Sequence, residues 1–271
     1  MRSVKNAGIT WGMVNIAIKM FVATESHDTK FSLYHAACLG KPQSGAIGMP
    51  RVCKDCEERL AHADIVKGVT IDDKLITVSN DEIKALDEEQ DPNIEVLQFV
   101  HADEIDPILF EGTYYLDADK GSEKGYAMLR LVLEESRQVG IVRYAMRSKT
   151  RLGVLRVVGD VLAIHALLWH DEVRSTDELL GARKQVSLTP KEIKLAHAVV
   201  ESMSGQWNPA EYVDTYAHRL SEFIDTKSEG GEWTPVTRAS DNQDAGDLLA
   251  KLEASIKRHP AGKKAVRAKA S

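Results

Sequence analysis

QVGIVRYAMRSKTRLGVLRVVGDVLAIHALLWHDEVR, residues 138–174, is the stretch from which the fold can be read. Val142, Tyr144 and Met146 alternate with Arg143, Ala145 and Arg147, the period-2 signature of a strand with one apolar face. Lys149, Arg151 and Arg156 follow directly. Gly159-Asp160 then separates two apolar runs as a two-residue hairpin turn does. The second run, Val161 to Trp169, is apolar at nearly every position, so both its faces are expected to be buried. An antiparallel sheet with arginines along one face can present them to a polyanion. The same pattern also describes a solvated outer face, and periodicity does not separate the two.

Upstream, Val14, Ile16, Ile18, Met20 and Val22 alternate cleanly, so the chain is expected to open with a strand. Gly8 and Gly12 before and beside it suit a bulge or a barrel corner. Residues 39–51 (LGKPQSGAIGMPR) form a Gly/Pro-rich loop. Further strands are predicted near 64–78 and 94–100, and helices near 81–88 and 103–110. Ser122 can cap a helix with Tyr126, Leu129, Val132 and Leu133 on one side.

Downstream of Arg174 the pattern becomes helical. Thr189-Pro190-Lys191-Glu192 is a capping box with proline at the first helical position, and Ile193, Ala196, Val200 and Met203 supply the stripe, with Gly205 as terminator. Asn208-Pro209-Ala210-Glu211 repeats that start signal before Tyr212, Tyr216, Leu220 and Phe223. Ser228-Glu229-Gly230-Gly231 reads as a hinge. Leu248, Leu249, Leu252 and Ile256 mark a last amphipathic helix, and the tail AGKKAVRAKAS has nothing to bury.

The charged fraction of 28% and hydrophobic fraction of 43% suit a soluble globular protein. No apolar run is long enough to span a bilayer, and no secretory h-region opens the chain, so a cytoplasmic, nucleoid-associated location is expected. The net charge of −6 is uneven: Lys251–Ser271 holds seven Lys/Arg against one Glu, leaving −12 on the body. Lys263, Lys264, Arg267 and Lys269 make that tail a sequence-independent phosphate contact. His35-x-x-Cys38 and Cys53-x-x-Cys56 are two knuckle-spaced ligand pairs, the donor set of a Cys₃His structural zinc site; a metal-free thiol pair is the plainer alternative. Asp117-x-Asp119 could hold a divalent ion but is more simply a solvated turn, and His165 and His170 read as structural. No phosphate loop, zincin motif, nucleophile elbow or dinucleotide fingerprint is present, and no catalytic residues are expected.

In order along the chain, G-I-T-W-G-M-V-N-I-A-I-K (8–19), R-V-C-x-x-C (51–56), E-V-L-Q-F-V (95–100), E-I-D-P-I-L-F-E-G-T-Y-Y-L (104–116), R-S-K-T-R-L-G-V-L-R (147–156), L-L-W-H-D-E-V-R (167–174) and D-T-Y-x-x-x-L (214–220), with Lys227 downstream, resemble the bacterial Ku family of non-homologous end joining. The succession covers roughly residues 1–230. The resemblance implies a mixed β/α fold: a β-barrel core with a bridge arm forming half of a DNA-encircling ring, followed by carboxy-terminal helices. It implies a homodimer that threads onto double-stranded DNA ends without reading sequence, recruits an ATP-dependent end-joining ligase, and requires no cofactor. The eukaryotic amino-terminal α/β domain is not expected. The domains would be 1–188 for barrel and bridge, 189–230 for a helical dimer or ligase contact, and 231–271 for a flexible module with the amphipathic helix and basic tail. The lumen contacts are expected among Arg143, Arg147, Lys149, Arg151 and Arg156, with Lys19 and Lys30 as further candidates. The zinc expectation rests on ligand spacing and not on the family. Two other classes remain open on these residues: a zinc-containing regulatory DNA-binding protein using the Cys53/Cys56 region, and a metal-dependent hydrolase using Asp117, Asp119 and histidines.

Overall fold

The computed structural model describes residues 1–41, 45–88, 93–147, 149–180 and 187–233. The chain divides into two compact units, Met1–Ser175 and Thr176–Ser271. The first holds strands β1 (Ser3–Trp11), β2 (Val14–Val22), β3 (Lys67–Ile71) and β4 (Lys74–Val78), helix α1 (Asn80–Glu88), and strands β5 (Ile94–His101) and β6 (Phe110–Ala118). Helix α2 (Glu123–Ser136) and strands β7 (Gln138–Ala145), β8 (Thr150–Val158) and β9 (Val161–Leu167) complete it. Seven strands close a barrel in the order β1-β2-β6-β9-β8-β7-β5. All neighbours are antiparallel except β1 and β5, which run parallel and pair Ile9 with Ile94 and Thr10 with Glu95.

The alternation read from the sequence is what fills the barrel. Ile16, Ile18 and Met20 of β2, Val142 and Tyr144 of β7, Leu155 of β8, and Leu162 and Ile164 of β9 meet in one core. Leu129 and Leu133 of α2 join them. This helix is pinned by two hydroxyls. Ser122 sits at its N-cap, yet its Oγ accepts from the Ala17 N–H of β2 at 3.1 Å and makes no cap bond. Tyr126 donates to the Leu116 carbonyl and accepts from the Leu162 N–H, both at 2.7 Å, so one phenol ties α2 to β6 and β9.

A second core lies on the outer face of β7–β9, where Val139, Val154 and Leu167 pack with Ile105 and Leu109. It explains why β9 is apolar on both faces. It also corrects the helix expected at 103–110. Ala102–Glu104 and Pro107–Leu109 are two single 3₁₀ turns, and Phe110 already enters β6. The residue before a proline disfavours the helical region. Asp106 is extended, and its carboxylate accepts from the Ile108 N–H at 3.0 Å. The strand over Val14–Val22 is not the opening one: β1 precedes it, joined through a turn in which Gly12 has φ +58°. Gly159, with φ +57°, supplies the expected β8–β9 turn.

Residues 23–93 form an arm between β2 and β5, and among its described residues none is buried. Its hairpin β3–β4 is a separate two-stranded sheet turning at Asp72 and Asp73, whose φ values of 47° and 60° are those of a primed two-residue turn.

The second unit contains α3 (Asp177–Leu180), α4 (Pro190–Met203) and α5 (Thr215–Ser228). The Thr189/Glu192 capping box is formed: the Glu192 carboxylate accepts from the Thr189 N–H at 2.6 Å, and Thr189 Oγ1 accepts from the Glu192 N–H at 3.3 Å. The Thr189 hydroxyl and N–H hold the Glu192 carboxyl below its usual range. The second start signal is displaced. Asn208 caps only the 3₁₀ turn Pro209–Glu211, and α5 begins after Asp214, whose carboxylate accepts from the N–H groups of Tyr216 and Ala217. Tyr212 therefore lies outside the helix. The expected hinge at 228–231 is a helix-ending turn instead. Gly230, at φ +78°, donates its N–H to the Lys227 carbonyl, and Gly231 donates to the Thr226 carbonyl, the double bond of a Schellman motif. The leucine-bearing helix expected near 241–258 lies outside the described residues.

Candidate nucleic-acid interface

The basic side chains of β7 and β8 do not form one row. Arg143 projects from β7 opposite Leu152 of β8, but β7 ends at Ala145. Met146 and Lys149 exchange backbone hydrogen bonds across the β7–β8 turn, and Arg147 there adopts φ +50°. The parity that was to align Arg147 with Arg143 is lost at that turn.

Three candidates carry carboxylate partners. Arg143 donates through Nη2 and Nε to one oxygen of Glu95, at 2.6 and 3.2 Å, across the register Glu95↔Arg143. Arg151 Nη1 meets Glu111 at 2.9 Å. Lys19 Nζ meets Asp119 at 2.9 Å. The hydrogen bond and charge of Asp119 raise the Lys19 ammonium above its ordinary pKa, and Lys19 in turn holds the Asp119 carboxyl down. All three pairs are solvent-accessible, where water and salt screen such contacts and leave them contributing little. A phosphate can therefore replace the carboxylate at low cost. The acids come from β5, β6 and the residue that follows β6, so the spacing of the cations along β2, β7 and β8 carried no sign of them.

Arg156 is held differently. Its Nε donates to His165 Nε2 at 2.7 Å, and His165 Nδ1 lies 2.9 Å from Thr113 Oγ1. A nitrogen that accepts from a guanidinium bears no proton, so the His165 proton sits on Nδ1 and is donated to Thr113. Burial first, and the Arg156 charge second, push the His165 pKa down and keep the ring neutral. The ring edge of Phe110 packs against it at 5.6 Å. His165 is thus structural in a specific way: it fixes a cation. Among the described residues no carboxylate pairs with Arg156, Arg147, Lys149 or Lys30. Lys263, Lys264, Arg267 and Lys269 lie outside the described residues.

The metal candidates fall into two pairs. His35 Nδ1 is 3.2 Å from Cys38 Sγ. The Cys53 thiol is lowered by hydrogen bonds from the backbone N–H groups of Cys56 and Asp55 and from the Cys56 side chain, which favours the thiolate a metal requires. Among the described residues no group of three or more His, Cys, Asp or Glu side chains is gathered for a metal ion, so the two pairs stand apart. The same holds for Asp117 and Asp119, the latter already engaged with Lys19.

A closed seven-stranded barrel with one helix in its core is the frame on which these cations sit. Residues 10–195 match the family model described as the Ku70/Ku80 beta-barrel domain. The chain belongs to the Ku family. Similar Ku proteins include the non-homologous end joining protein Ku of Mycolicibacterium smegmatis, 38% identical over 273 residues, covering 97% of this chain and 84% of the relative. That of Mycobacterium tuberculosis is 39% identical over 266 residues, 95% of each chain. Protein Ku of Mycobacterium phage Corndog is 39% identical over 278 residues, 98% of this chain and 97% of the phage protein. Among the described residues of this Ku chain no helix is long and apolar enough to cross a membrane.

Proposed function

We propose that the protein binds the ends of double-stranded DNA without reading sequence, in double-strand break repair by non-homologous end joining, and that it does so as a ring-shaped homodimer. The observation that carries the reading is the arm. Val69, Ile71 and Leu75 of its hairpin are 51%, 54% and 65% exposed, with Phe31 and Met49 at 69% and 78%. An apolar surface of that extent on a folded chain calls for a partner, and a second copy is the commonest closed solution. Membership of the Ku family, whose relatives bear the name non-homologous end joining protein, supplies the DNA end as ligand.

The phosphate contacts are assigned first to Arg147, Lys149 and Arg156, which carry no carboxylate partner among the described residues, and then to Arg143, Arg151 and Lys19, whose partners must be exchanged. Lys30 on the arm and Lys263, Lys264, Arg267 and Lys269 in the tail add electrostatic contacts. Such contacts position a duplex and carry no sequence information. The protein acts as a scaffold and recruits an ATP-dependent end-joining ligase through the helices between 189 and 230, within the nucleoid.

Linear and closed-circular duplexes of one sequence test the core of this reading: only the linear form is retained if binding requires threading from an end. Equal retention of both would overturn it. Arg147→Ala/Lys149→Ala is expected to weaken all sequences alike and to reduce the salt slope by up to ~0.9 per lost contact. For the two ligand pairs we propose one structural Zn²⁺ on His35, Cys38, Cys53 and Cys56. Its support is the ligand spacing and the thiolate-favouring surroundings of Cys53, and binding requires the pairs to close together. Elemental analysis finding no zinc in chelator-free protein would remove it.

A further inference from the structure

The surface of α5 that faces the end of the described chain is a groove. Tyr216, Arg219, Leu220, Phe223 and Trp233 line about 290 Å³. Trp233 is not part of the helix. The Gly230/Gly231 cap reverses the chain after Ser228, and the Trp233 ring then meets the Phe223 ring edge-on at 5.3 Å. Lys227 Nζ lies 5.2 Å from the centroid of the same Phe223 ring. The groove is walled by aromatic rings and Leu220, with Arg219 in its lining and Lys227 over the Phe223 ring, and it is open to solvent: Tyr216 is 71% exposed and Trp233 40%.

We propose that this groove is the seat of the chain's own segment 241–258, which lies down along α5 as an intramolecular clasp. Four observations select this occupant. The chain leaves the described region from Trp233, a wall of the groove, so the tether starts inside the site. Leu248, Leu252 and Ile256 recur at i, i+4 and i+8, one face of a helix matched to one groove. The stretch of sequence between Trp233 and Leu248 is long enough for a root-mean-square span of roughly 20 Å, close to the ~21 Å length of a 14-residue helix. Asp241, Asp244 and Asp247 precede the leucines, giving the segment acidic groups that oppose Arg219 and Lys227.

A helix this short is marginal in water alone, so its formation and its docking are one event. The tether makes that event unimolecular, at an effective concentration on the order of mM. A segment whose separate peptide would bind with a Kd of ~0.1 mM is then docked about ten to one.

Hydrogen exchange on the full chain tests this, comparing wild type with Leu248→Asp/Leu252→Asp. Unchanged thermal unfolding of the barrel controls for folding. Amides of Tyr216–Phe223 and of 248–256 are expected to exchange about tenfold faster in the double variant, by the same factor at low and high protein concentration. Arg219→Glu is expected to give part of that loss, and Arg219→Glu/Asp247→Lys to restore it. Protection that disappears on dilution would replace the clasp by a second copy of the chain. Equal exchange in wild type and variant would mean that the segment leaves the groove uncovered. Either result overturns the proposal.

Discussion

The barrel and the arm are built from similar residues and come to opposite ends. In the barrel, Ile16, Ile18, Leu155 and Ile164 are at most 1% exposed. In the arm, Ile71, Leu75 and Val69 are more than half exposed on a hairpin with equally regular register. Composition does not distinguish them; closure does. Seven strands curled on themselves give each apolar face an inside, whereas two strands have none, and an isolated hairpin is marginal in water. The barrel is thus a fold complete in one chain, and the arm is the exposed apolar surface that the proposed homodimer would cover.

Truncating the barrel interior should produce the largest effect and test that division most directly. Ile164→Ala should lower unfolding free energy by ~2–5 kcal/mol, measured by urea denaturation. Leu75→Ala should stay within about 0.5 kcal/mol in dilute protein while weakening self-association in sedimentation. Similar losses at both sites would erase the contrast. Gly153→Ala should be nearly as severe. A Cβ there would lie 3.0 Å from the Tyr144 ring, the Ile164 side chain and the His165 carbonyl, inside the wall, and overpacking of that kind costs ~1–3 kcal/mol.

A subtler pair sharpens the barrel side. The Tyr144 hydroxyl is buried with no hydrogen-bond partner among the described residues, and burial pushes its pKa from 10 up to about 12. Because the folded value is raised, its contribution is complete below pH 10 and is lost as pH rises towards 12. Tyr144→Phe removes an unsatisfied group and should leave stability unchanged or raise it by up to ~1 kcal/mol. Alkaline unfolding curves should then lose that pH slope. The smallest effect concerns His165, whose folded pKa is lowered from 6.5. Stability is complete above pH 6.5 and declines as pH falls below it, because the unfolded ring takes the proton more readily. His165→Gln should flatten that decline in acid denaturation and loosen Arg156.

The strands of 138–167 were legible because burial on known faces writes itself as alternation. Beside them, β6 was missed: Phe-Glu-Gly-Thr-Tyr-Tyr-Leu-Asp-Ala alternates poorly, since Tyr114 and Tyr115 are both half-buried on opposite faces. The helix expected near 103–110 fails because Ile105 and Leu109 are ordered by the outer face of β7–β9, which no local window contains. Likewise the cations were visible and their partners were not. Glu95, Glu111 and Asp119 reach Arg143, Arg151 and Lys19 only through register and closure.

The parallel seam places Ile9 beside Ile94, so the barrel shuts only after the chain has travelled round the whole arm. Thermodynamically the detour matters little, because doubling a flexible loop adds only ~0.6 kcal/mol of closure entropy. Kinetically it matters more. The β1–β2 and β7–β8–β9 pairings are between sequence neighbours and form early, whereas the seam and the β2–β6 pairing both join strands on either side of the arm and arrive late. Arm length is then a dial on folding speed, free to drift in evolution with little trace in equilibrium stability.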